Sequence, residues 1–410
     1  MAEAKKTTRS RVSKAKTMPK QPARPRVKAV IKKEPVTMTV KHAQSPNPNE
    51  VLYRLRTFVG WSAFVALAFA GLSMLSEYGA TPTSIDPDMV KTSVLQSGGT
   101  TLSLADKKDV SLIAVGDIML ARFTESKIRA SKNRELPFEK VKEHLAAADL
   151  TFANLESPFF PGNTTPNEST TFRADLESVQ GLTASGIDLV SLANNHTMNY
   201  RVPGLQSTLT TLKNANIKAV GAGQNKAEAH APVMVEVKGH TLAFLAYNDG
   251  NIAPRYHGEA TDTEPGIAKM DIEQMKLDVA EAKKQGADVV IVSMHAGIEY
   301  RKEPSQSQKD FSHAAIDAGA AVVIGHHPHI VQGVERYNNG LIMYSLGNFV
   351  FDQMFSQDVK TGLLASITIK PDGSVGAEFF PTITEQLQPR ILVDQERMDM
   401  LSKLGVPASL

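Results

Sequence analysis

Residues 321–329 read AVVIGHHPH, a short apolar run that ends abruptly on three histidines. Five further stretches share this form, in which an apolar run ends on an acid, an amide or a histidine. They read SLIAVGD at 111–117, LTFANLE at 150–156, LVSLANNH at 189–196, VVIVSMH at 289–295 and LIMYSLGNF at 341–349. Continuous apolar runs of this length are typical of strands that are buried on both faces of a sheet.

The polar residues of these stretches stand at the carboxyl ends of the predicted strands. Ligands of an open α/β sheet bind just beyond such ends, so side chains that are distant in sequence meet there. We therefore predict one site built from Asp117, Glu156, Asn195, His196, His295, His327 and His329. This mixture of oxygen and nitrogen donors suits one or two divalent ions of Mn, Fe or Zn better than Mg or Ca. A single histidine at a strand end is more often an ordinary surface or core residue, so the prediction rests on the combination.

Two of the stretches indicate finer roles. Alternation along a strand would place His327 and His329 on the same side, and Pro328 favours an extended conformation for His327. His196 follows a predicted amide ligand, so we predict a catalytic role for it, either to donate a proton to a leaving group or to stabilise a developing negative charge. His326 is expected to lie behind the ligands or towards the substrate.

The distribution of charge divides the chain near residue 57. Residues 1–56 contain 15 Lys and Arg against 3 Glu, whereas the remaining residues carry 30 Lys and Arg against 40 acids. A segment this basic, without a sustained apolar pattern, predicts a disordered tail. Nucleic-acid binding is the alternative for such a tail, and the apolar segment that follows argues against it. The chain has no cysteine, which excludes disulfides, thiolate ligands and a cysteine nucleophile.

Residues 57–77 predict a single transmembrane helix. The eighteen residues 58–75 carry no charge, and Arg54 and Arg56 directly precede them. The positive-inside rule then places the basic tail in the cytoplasm and the remainder of the chain outside the cell membrane. A cleaved signal peptide is the competing interpretation, and the long basic region ahead of the apolar run argues against it.

The rest of the chain predicts a linker at 78–107, a folded domain at 108–390 and a C-terminal extension at 391–410. The predicted helices span 138–148, 176–184, 204–215, 272–285 and 306–318. Their alternation with strands predicts an α/β fold with a partly parallel sheet. Turn signals at 238–240 and 371–373 predict antiparallel hairpins in addition, so we expect two sheets packed together.

Several strings within residues 110–352 are specific when they are taken together. They are GDIML, ANLE, SLANNH, the Gly-Ala-Gly of 221–223, MHAG, GHHPH and YSLGNFVFDQ. In these strings the chain resembles the CapA/PgsA family, which is linked to bacterial poly-gamma-glutamate capsule synthesis and is related in fold to calcineurin-like metallophosphoesterases. The resemblance implies a two-sheet αββα metallophosphoesterase-like domain with a pocket of the dinuclear type.

The resemblance also implies roles for single residues. Asp117 matches the first aspartate of the phosphoesterases, Asn195 and His196 their asparagine–histidine pair, His295 their isolated histidine, and His327 and His329 their final pair. Met119 stands where a histidine is usual, and Glu156 is the nearest counterpart of a bridging aspartate, which implies that one of two metal positions is weakened or absent. Ala296 stands where the family often has tryptophan and Asn199 where it has aspartate, so the substrate rim is expected to differ.

Together these features predict a membrane-anchored extracytoplasmic protein of poly-gamma-glutamate capsule biosynthesis or export. Its expected partners are an anionic polymer, the membrane and other capsule-synthesis membrane subunits, and no nucleic acid. The residues predicted to contact the polymer are Arg122, Arg173, His326 and Asn348. The negative balance of the outer part restricts polymer binding to a local surface. A metal-dependent phosphoesterase and a non-enzymatic scaffold with a degenerate site remain alternatives, so the sequence leaves turnover open.

Overall fold

The computed structural model describes residues 107–163, 169–251 and 258–410. The predicted basic tail, the predicted membrane anchor and all but the last residue of the predicted linker lie outside these ranges. No helix inside them combines the length and the apolar character that crossing a membrane requires. The predicted folded domain lies almost entirely inside them.

The first sheet is mixed, with parallel strands on one side and antiparallel strands on the other. Its parallel part runs in the order β1 (Val110–Ile118), β2 (Leu150–Leu155), β3 (Leu189–Ser191) and β4 (Lys218–Val220). The antiparallel part extends from β1 through β14 (Thr361–Ile369), β15 (Val375–Glu385) and β16 (Gln388–Ile391). A short strand, β13 (Asn348–Val350), pairs in parallel with the end of β1. The hairpin predicted at 371–373 is confirmed, since it joins β14 to β15.

The second sheet has parallel strands at its centre and an antiparallel strand at each edge. The central strands are, in spatial order, β12 (Gly340–Met343), β10 (Val322–His326), β9 (Val289–His295) and β7 (His240–Asn248). The edges are β11 (Val334–Tyr337) and β6 (Val233–Val237). A separate small pair is formed by β5 (Ala222–Gly223) and β8 (Gly266–Ile267). The turn predicted at 238–240 connects β6 to β7 and is also confirmed.

An apolar core holds the two sheets face to face. Phe152 of β2 stacks on Phe244 of β7 across the interface, with ring centroids 5.8 Å apart. The outer face of the first sheet is covered by α1 (Arg122–Ser131), α2 (Lys142–Ala146), α3 (Val179–Ala184) and α4 (Arg201–Asn214). The outer face of the second sheet is covered by α5 (Lys226–His230), α6 (Ile272–Lys284) and α7 (Gln306–Ala318). The predicted α/β class with two packed sheets is therefore confirmed, and the layers follow the order αββα.

Helix α7 begins and ends where its sequence predicts. Ser305 caps its amino end, because the Ser305 side chain accepts from the backbone N–H of Gln308 and the Gln308 side chain accepts in return. Gly319 ends the helix with a φ of +100°, a conformation that glycine adopts without steric cost. Phe311 and Ala315 face the second sheet and are buried. The capping box fixes the point at which the loop after β9 enters the helix.

The helix predicted over 138–148 is shorter than expected. Residues Leu136–Phe138 form a 3₁₀ turn, and α2 begins only at Lys142. Val141 between them has a φ of −127°, outside the helical range, and its side chain is buried in the outer core of the first sheet. Packing of Phe138 and Val141 against the sheet thus interrupts a segment whose spacing alone favours a continuous helix.

The last twenty residues pack against the sheets. They include the end of β16 and α9 (Asp394–Leu404), and α9 buries Leu401 in the core between the sheets together with Val406. The terminal backbone pairs with β15, since Leu410 and Ala377 exchange two hydrogen bonds of 2.9 Å. A remaining short helix, α8 (Gln357–Lys360), leads into β14.

Candidate metal centre

The six predicted metal ligands lie together at the carboxyl ends of the parallel strands. They are Asp117 at the end of β1, Glu156 after β2, Asn195 after β3, His295 at the end of β9, and His327 and His329 after β10. None of them is more than 5% exposed. Contacts of less than 4 Å link Asp117 and Glu156 to His329, and Asn195 to His295. The sheet interface therefore brings together residues that are up to 212 positions apart in sequence.

Asp117 is an anion surrounded by imidazoles. Its carboxylate accepts from the side-chain amide of Asn154 at 2.8 Å and lies 3.2 Å from Nδ1 of His326 and 3.4 Å from Nδ1 of His329. Burial alone would raise the pKa of Asp117, but the hydrogen bonds and charges of His326 and His329 outweigh burial and hold it well below its ordinary value. Asp117 is therefore ready to act as an anionic ligand.

Glu156 shows the opposite perturbation. Complete burial raises the pKa of Glu156 well above its ordinary value, and the charge of His329 only partly opposes this effect. Neither carboxylate oxygen has a hydrogen-bond partner among the described residues. The nearest polar groups are Nε2 of His196 at 3.7 Å and Nε2 of His329 at 3.8 Å. A buried carboxyl without a hydrogen bond is costly, and a cation between it and the imidazoles would remove that cost.

The donor set around Glu156 fits a divalent metal ion. Two groups of three residues bring ligand atoms within 4.8 Å of one another in the described part of the chain. One group is Asp117, Glu156 and His295, and the other is Glu299, His327 and His329. Nδ1 of His327 is buried and has no hydrogen-bond partner among the described residues, as expected of a nitrogen that binds a metal ion. Oxygen and imidazole donors in this mixture are typical of Mn, Fe and Zn sites.

Asn154 and Asn194 complete the framework of the site, although neither is among the predicted site residues. Asn194 donates to the Asn154 side chain at 3.1 Å and to the carbonyl of Leu155 at 2.8 Å. Its own oxygen accepts from the backbone N–H groups of His196 and Thr197, which fixes the turn after β3. Both asparagines lie in the strings that end predicted strands, so the same strand-end pattern indicates them as site residues.

His295 lies between two of these amides. Nε2 of His295 is 2.9 Å from the side-chain oxygen of Asn195, and Nδ1 is 3.3 Å from the side-chain nitrogen of Asn154. The side-chain nitrogen of Asn154 also donates to the Asp117 carboxylate, which identifies it as the NH₂ of the amide. An NH₂ group can only donate, so Nδ1 of His295 accepts its hydrogen bond. Burial and the neighbouring His327 hold the pKa of His295 well below its ordinary value, so the imidazole is neutral. A neutral imidazole is the form that binds metal.

The backbone of His327 and His329 corrects one expectation. Strand β10 ends at His326, and His327 and His329 have φ values of +97° and +58°. Neither residue is extended, so the prediction that strand alternation and Pro328 align the two imidazoles is wrong. Left-handed backbone at two histidines turns the chain sharply, and both rings still reach the site, with centroids 6.0 Å apart. Strained backbone of this kind clusters at functional sites.

His196 is held at the edge of the centre. Its ring stacks on Phe172 with centroids 3.8 Å apart, and Nδ1 lies 3.0 Å from the side-chain oxygen of Asn199. That oxygen also accepts from the backbone N–H of Phe172, so the amide orientation is fixed and Nδ1 of His196 must donate. Nε2 is then the basic nitrogen and faces Glu156. Burial lowers the pKa of His196 to about 3, so the ring is neutral.

The residues predicted to contact a substrate occupy different environments. Arg122 is half-buried, pairs with Asp352 and lies over the ring of Phe172, 4.6 Å from its centroid. Arg173 is buried in an ion pair with Glu125, an arrangement that stabilises the fold around it. A role for Arg173 in substrate contact therefore stays a prediction without support from its surroundings.

His326 and Asn348, the other two predicted substrate residues, support the ligands from behind. His326 is fully buried beside Asp117. The side-chain oxygen of Asn348 lies 3.0 Å from Nδ1 of His329, and its nitrogen donates to the carbonyl of Val359. Asn348 thus leaves Nε2 of His329 free to face Glu156. Met119, which stands where the resemblance would have a histidine, is fully buried in an apolar cluster with Phe172 and Phe351.

Comparison with known proteins identifies the family to which the chain belongs. The family model described as "Bacterial capsule synthesis protein PGA_cap" matches residues 111–353. The PGA biosynthesis protein CapA of Bacillus subtilis is 33% identical over 278 residues, which cover 67% of this chain and 72% of that protein. The capsule biosynthesis protein CapA of Bacillus anthracis is 30% identical, over 70% of each chain. Among solved structures, the calcineurin-like phosphoesterase YfkN of Bacillus subtilis aligns with 73% of this chain and 97% of its own, at 13% identity and a TM-score of 0.39, a likeness too low to support a conclusion. The family match and the two relatives show that the chain belongs to the PGA_cap family of bacterial capsule synthesis proteins.

Proposed function

We propose that this protein is a membrane-anchored, extracytoplasmic component of poly-gamma-glutamate capsule biosynthesis or export, and that its strand-end centre binds one or two divalent ions of Mn, Fe or Zn. Membership of the PGA_cap family supports the role in capsule synthesis. The observation that carries the metal proposal is Glu156, a fully buried carboxyl that has no hydrogen-bond partner among the described residues and faces Nε2 of His329 at 3.8 Å. The name of the Bacillus subtilis relative, a PGA biosynthesis protein, supports a polyglutamate as the anionic polymer.

The proposed roles follow from the contacts of each side chain. Asp117, Glu156, Asn195, His295, His327 and His329 hold the metal. A bound divalent ion would polarise a substrate oxygen and lower the pKa of a water molecule at that point. His196 moves a proton at Nε2, which is its basic nitrogen, and Asn199 and Phe172 keep that nitrogen directed towards the centre. Asn348 orients His329.

A groove beside the centre offers a path for an anionic polymer. It has a volume of about 530 Å³, and its wall includes Ile330, which directly follows His329, and three lysines, Lys302, Lys309 and Lys403. Two of the acids in this wall already have partners, since Asp358 pairs with Lys302 and Glu335 accepts from Tyr344. We propose that Lys309 and Lys403 bind carboxylates of the polymer. This local surface is compatible with the negative balance of the chain beyond residue 56.

The function is tested by complementation. A Bacillus subtilis strain that lacks its own CapA should regain polyglutamate production when it expresses the full chain. The Asp117→Asn variant should fail to restore it, whereas Asp109→Asn, an exposed aspartate just before the same strand, should restore it fully. Purified wild-type protein should retain Mn, Fe or Zn when its metal content is measured. Complementation by Asp117→Asn, or a metal-free protein that takes up no ion on titration, would contradict the proposal.

The membrane topology needs a separate test. Protease added to intact cells should remove the folded domain and leave residues 1–56 protected, since the basic tail is proposed to stay in the cytoplasm. Recovery of a soluble domain cut near Ala70 from untreated cells would instead support the signal-peptide alternative.

A metal-dependent phosphoesterase is the second candidate function. The two adjacent ligand groups favour it, because paired metal positions are typical of enzymes that cleave phosphate esters. Hydrolysis of a chromogenic phosphodiester by the purified protein with manganese would support this candidate, provided that His196→Asn abolishes the activity. No hydrolysis by a metal-loaded protein that complements capsule synthesis would exclude it.

A further inference from the structure

The loop that follows β9 carries an exposed carboxylate to the mouth of the metal centre. Glu299 lies four residues after His295, outside any strand or helix. Its carboxylate oxygen, one ring nitrogen of His327 and one of His329 lie within 4.8 Å of one another. A single ion about 2.0–2.2 Å from each of these atoms requires them to be no more than about 4.4 Å apart, which is close to this spacing. Glu299 ends no apolar run, which explains why the strand-end pattern did not indicate it.

The backbone of this loop is fixed against the histidine segment. The N–H of Tyr300 donates to the carbonyl of Pro328 at 2.8 Å, directly between His327 and His329. Gln332 donates to the carbonyl of Arg301 at 2.8 Å and anchors the next residue of the loop. Tyr300 has a φ of +62°, a left-handed conformation that turns the chain at this point. Glu299 is therefore held beside the two imidazoles by hydrogen bonds on its C-terminal side.

The side chain of Glu299 is also oriented. The hydroxyl of Tyr300 is hydrogen-bonded to Glu299 and accepts from Gln353 at 3.0 Å. Burial and the neighbouring Glu299 raise the pKa of Tyr300 above its ordinary value, so the hydroxyl keeps its proton and donates a hydrogen bond to the carboxylate. Metal-binding carboxylates commonly receive such a hydrogen bond from a neighbouring group.

We propose that Glu299, His327 and His329 form a second cation position at the mouth of the centre, next to the inner position at Asp117, Glu156 and His295. The ligand is a divalent ion of the Mn, Fe or Zn class. The buried Nδ1 of His327, which has no hydrogen-bond partner among the described residues, supplies an independent indication of a missing ligand. The distance of 3.8 Å between Nε2 of His329 and Oε1 of Glu156 makes the two positions neighbours.

The two positions differ in their access to solvent. The inner ligands are at most 1% exposed, whereas Glu299 is exposed at the surface. An ion at the mouth keeps coordination sites open to water or to a carboxylate of the polymer, and it exchanges more readily than the inner ion. This inference rests on the proposed metal-binding function and adds the residue that determines how many ions are bound.

Metal titration of the purified protein tests the proposal. Metal-free protein is titrated with Mn²⁺ and the bound ions are counted after equilibrium dialysis. The wild-type chain should bind two ions per chain and show the electron paramagnetic resonance signal of a coupled manganese pair. Glu299→Gln should bind one ion and lose the coupled signal, with unchanged melting temperature before metal is added. The control Glu303→Gln, at an exposed carboxylate four residues further along the loop, should behave like the wild type.

The outcomes separate this proposal from the proposed function. If wild type and Glu299→Gln both bind one ion, or both bind two, Glu299 is not a ligand, and the inner metal centre stands without it. If the wild-type protein binds no ion at all, both proposals fail. If Glu303→Gln loses the same ion as Glu299→Gln, the effect is one of general surface charge, and the assignment of Glu299 is overturned.

Discussion

The two sheets contribute different chemistry to the same edge of the molecule. The first sheet supplies carboxylates and amides, which are Asp117, Asn154, Glu156 and Asn195, whereas the second sheet supplies imidazoles, which are His295, His326, His327 and His329. At the inner position, Asp117 and Glu156 come from the first sheet and His295 from the second, so neither sheet alone supplies the mixture of oxygen and nitrogen that a borderline divalent metal prefers there. The inner position therefore forms only when the sheets are packed, so we expect folding and metal binding to be coupled there.

The charges of the two halves also complement each other across the interface. On the first sheet the imidazoles opposite hold the pKa of Asp117 well below its ordinary value. On the second sheet burial would lower the pKa of His329, but Glu156 and Asp117 raise it to about 9. His327, which faces less of this negative charge, is neutral, since burial lowers its pKa to about 3. Groups of the opposite sheet therefore determine the direction of the pKa shift of Asp117 and His329, whereas burial determines that of His327.

Removal of the imidazole half should have the largest effect. The double change His327→Ala with His329→Ala removes two nitrogens from the centre and should abolish metal retention, as measured by elemental analysis of the purified protein. Circular dichroism should show that the fold is kept, since both residues follow β10 and lie outside the strands. The matched control changes His144 and His313, two histidines on helices away from the centre, to alanine and should retain metal. Equal metal content in both double variants would contradict the assignment of the metal-binding nitrogens to the second sheet.

His196 differs from the other proposed site histidines because it alone follows a strand of the first sheet. Its loss should lower capsule-related activity by about 10²–10⁴-fold, the usual contribution of general acid–base catalysis, and leave metal content unchanged. The variants for this test are His196→Asn and Asn195→Ala, and only the second should lose metal. If both lose metal equally, then His196 is a ligand. If His196→Asn keeps full activity, the protein is a scaffold.

The interface between the halves should have a measurable effect on stability. Phe152→Ala removes a ring that stacks on Phe244 across the sheets and should lower the free energy of unfolding by about 3–5 kcal/mol. Denaturant unfolding followed by fluorescence or circular dichroism measures the change. Phe355→Ala, at a ring that is 67% exposed, is the control and should change stability little. A similar loss in both variants would show that stacking between the sheets is not what holds them.

The smallest effect is expected at the opposite end of the first sheet, where a carboxylate has ordinary structural partners. Asp149 accepts from the backbone and hydroxyl of Ser111 and from Lys238. Burial would raise the pKa of Asp149, but these hydrogen bonds lower it overall. The stability that it contributes is present above the ordinary carboxyl pKa of about 4 and is lost as the pH falls through the lower folded-state value.

Asp149→Asn should therefore reduce stability at pH 7 by about 1 kcal/mol or less, because solvent screens the Lys238 pair. The difference from wild type should shrink as the pH falls below about 4. Melting temperatures measured across that range test this. A difference that grows in acid would contradict the sign of the pKa shift.

The strand ends were predictable because buried parallel strands must be apolar throughout and must end at a common edge. For this reason the sequence indicated Asp117 and His295 as neighbours although 178 positions separate them. The backbone at His327 was not predictable, because the alternation rule assumes an extended chain and β10 has already ended. Arginine is usually exposed, so the burial of Arg173 was not predictable either. Only the fold brings Glu125 to its guanidinium.

Glu299 illustrates a further limit of sequence reasoning. A loop has no periodicity, so the position of its side chains depends on tertiary hydrogen bonds such as that between Tyr300 and Pro328. The first 106 residues lie outside the described part of the chain, and the cytoplasmic tail and the membrane anchor stay predictions from composition alone.

The left-handed backbone at His327 and His329 lowers the stability of the fold while it positions the two proposed metal ligands. An L-residue with a side chain loses about 1–2 kcal/mol in this conformation, whereas glycine adopts it without that loss. A chain selected for folding alone would therefore place glycine at both positions. The two imidazoles persist at the expense of stability, and a search for thermostable variants should find substitutions there that strengthen the fold and remove the proposed metal ligands together.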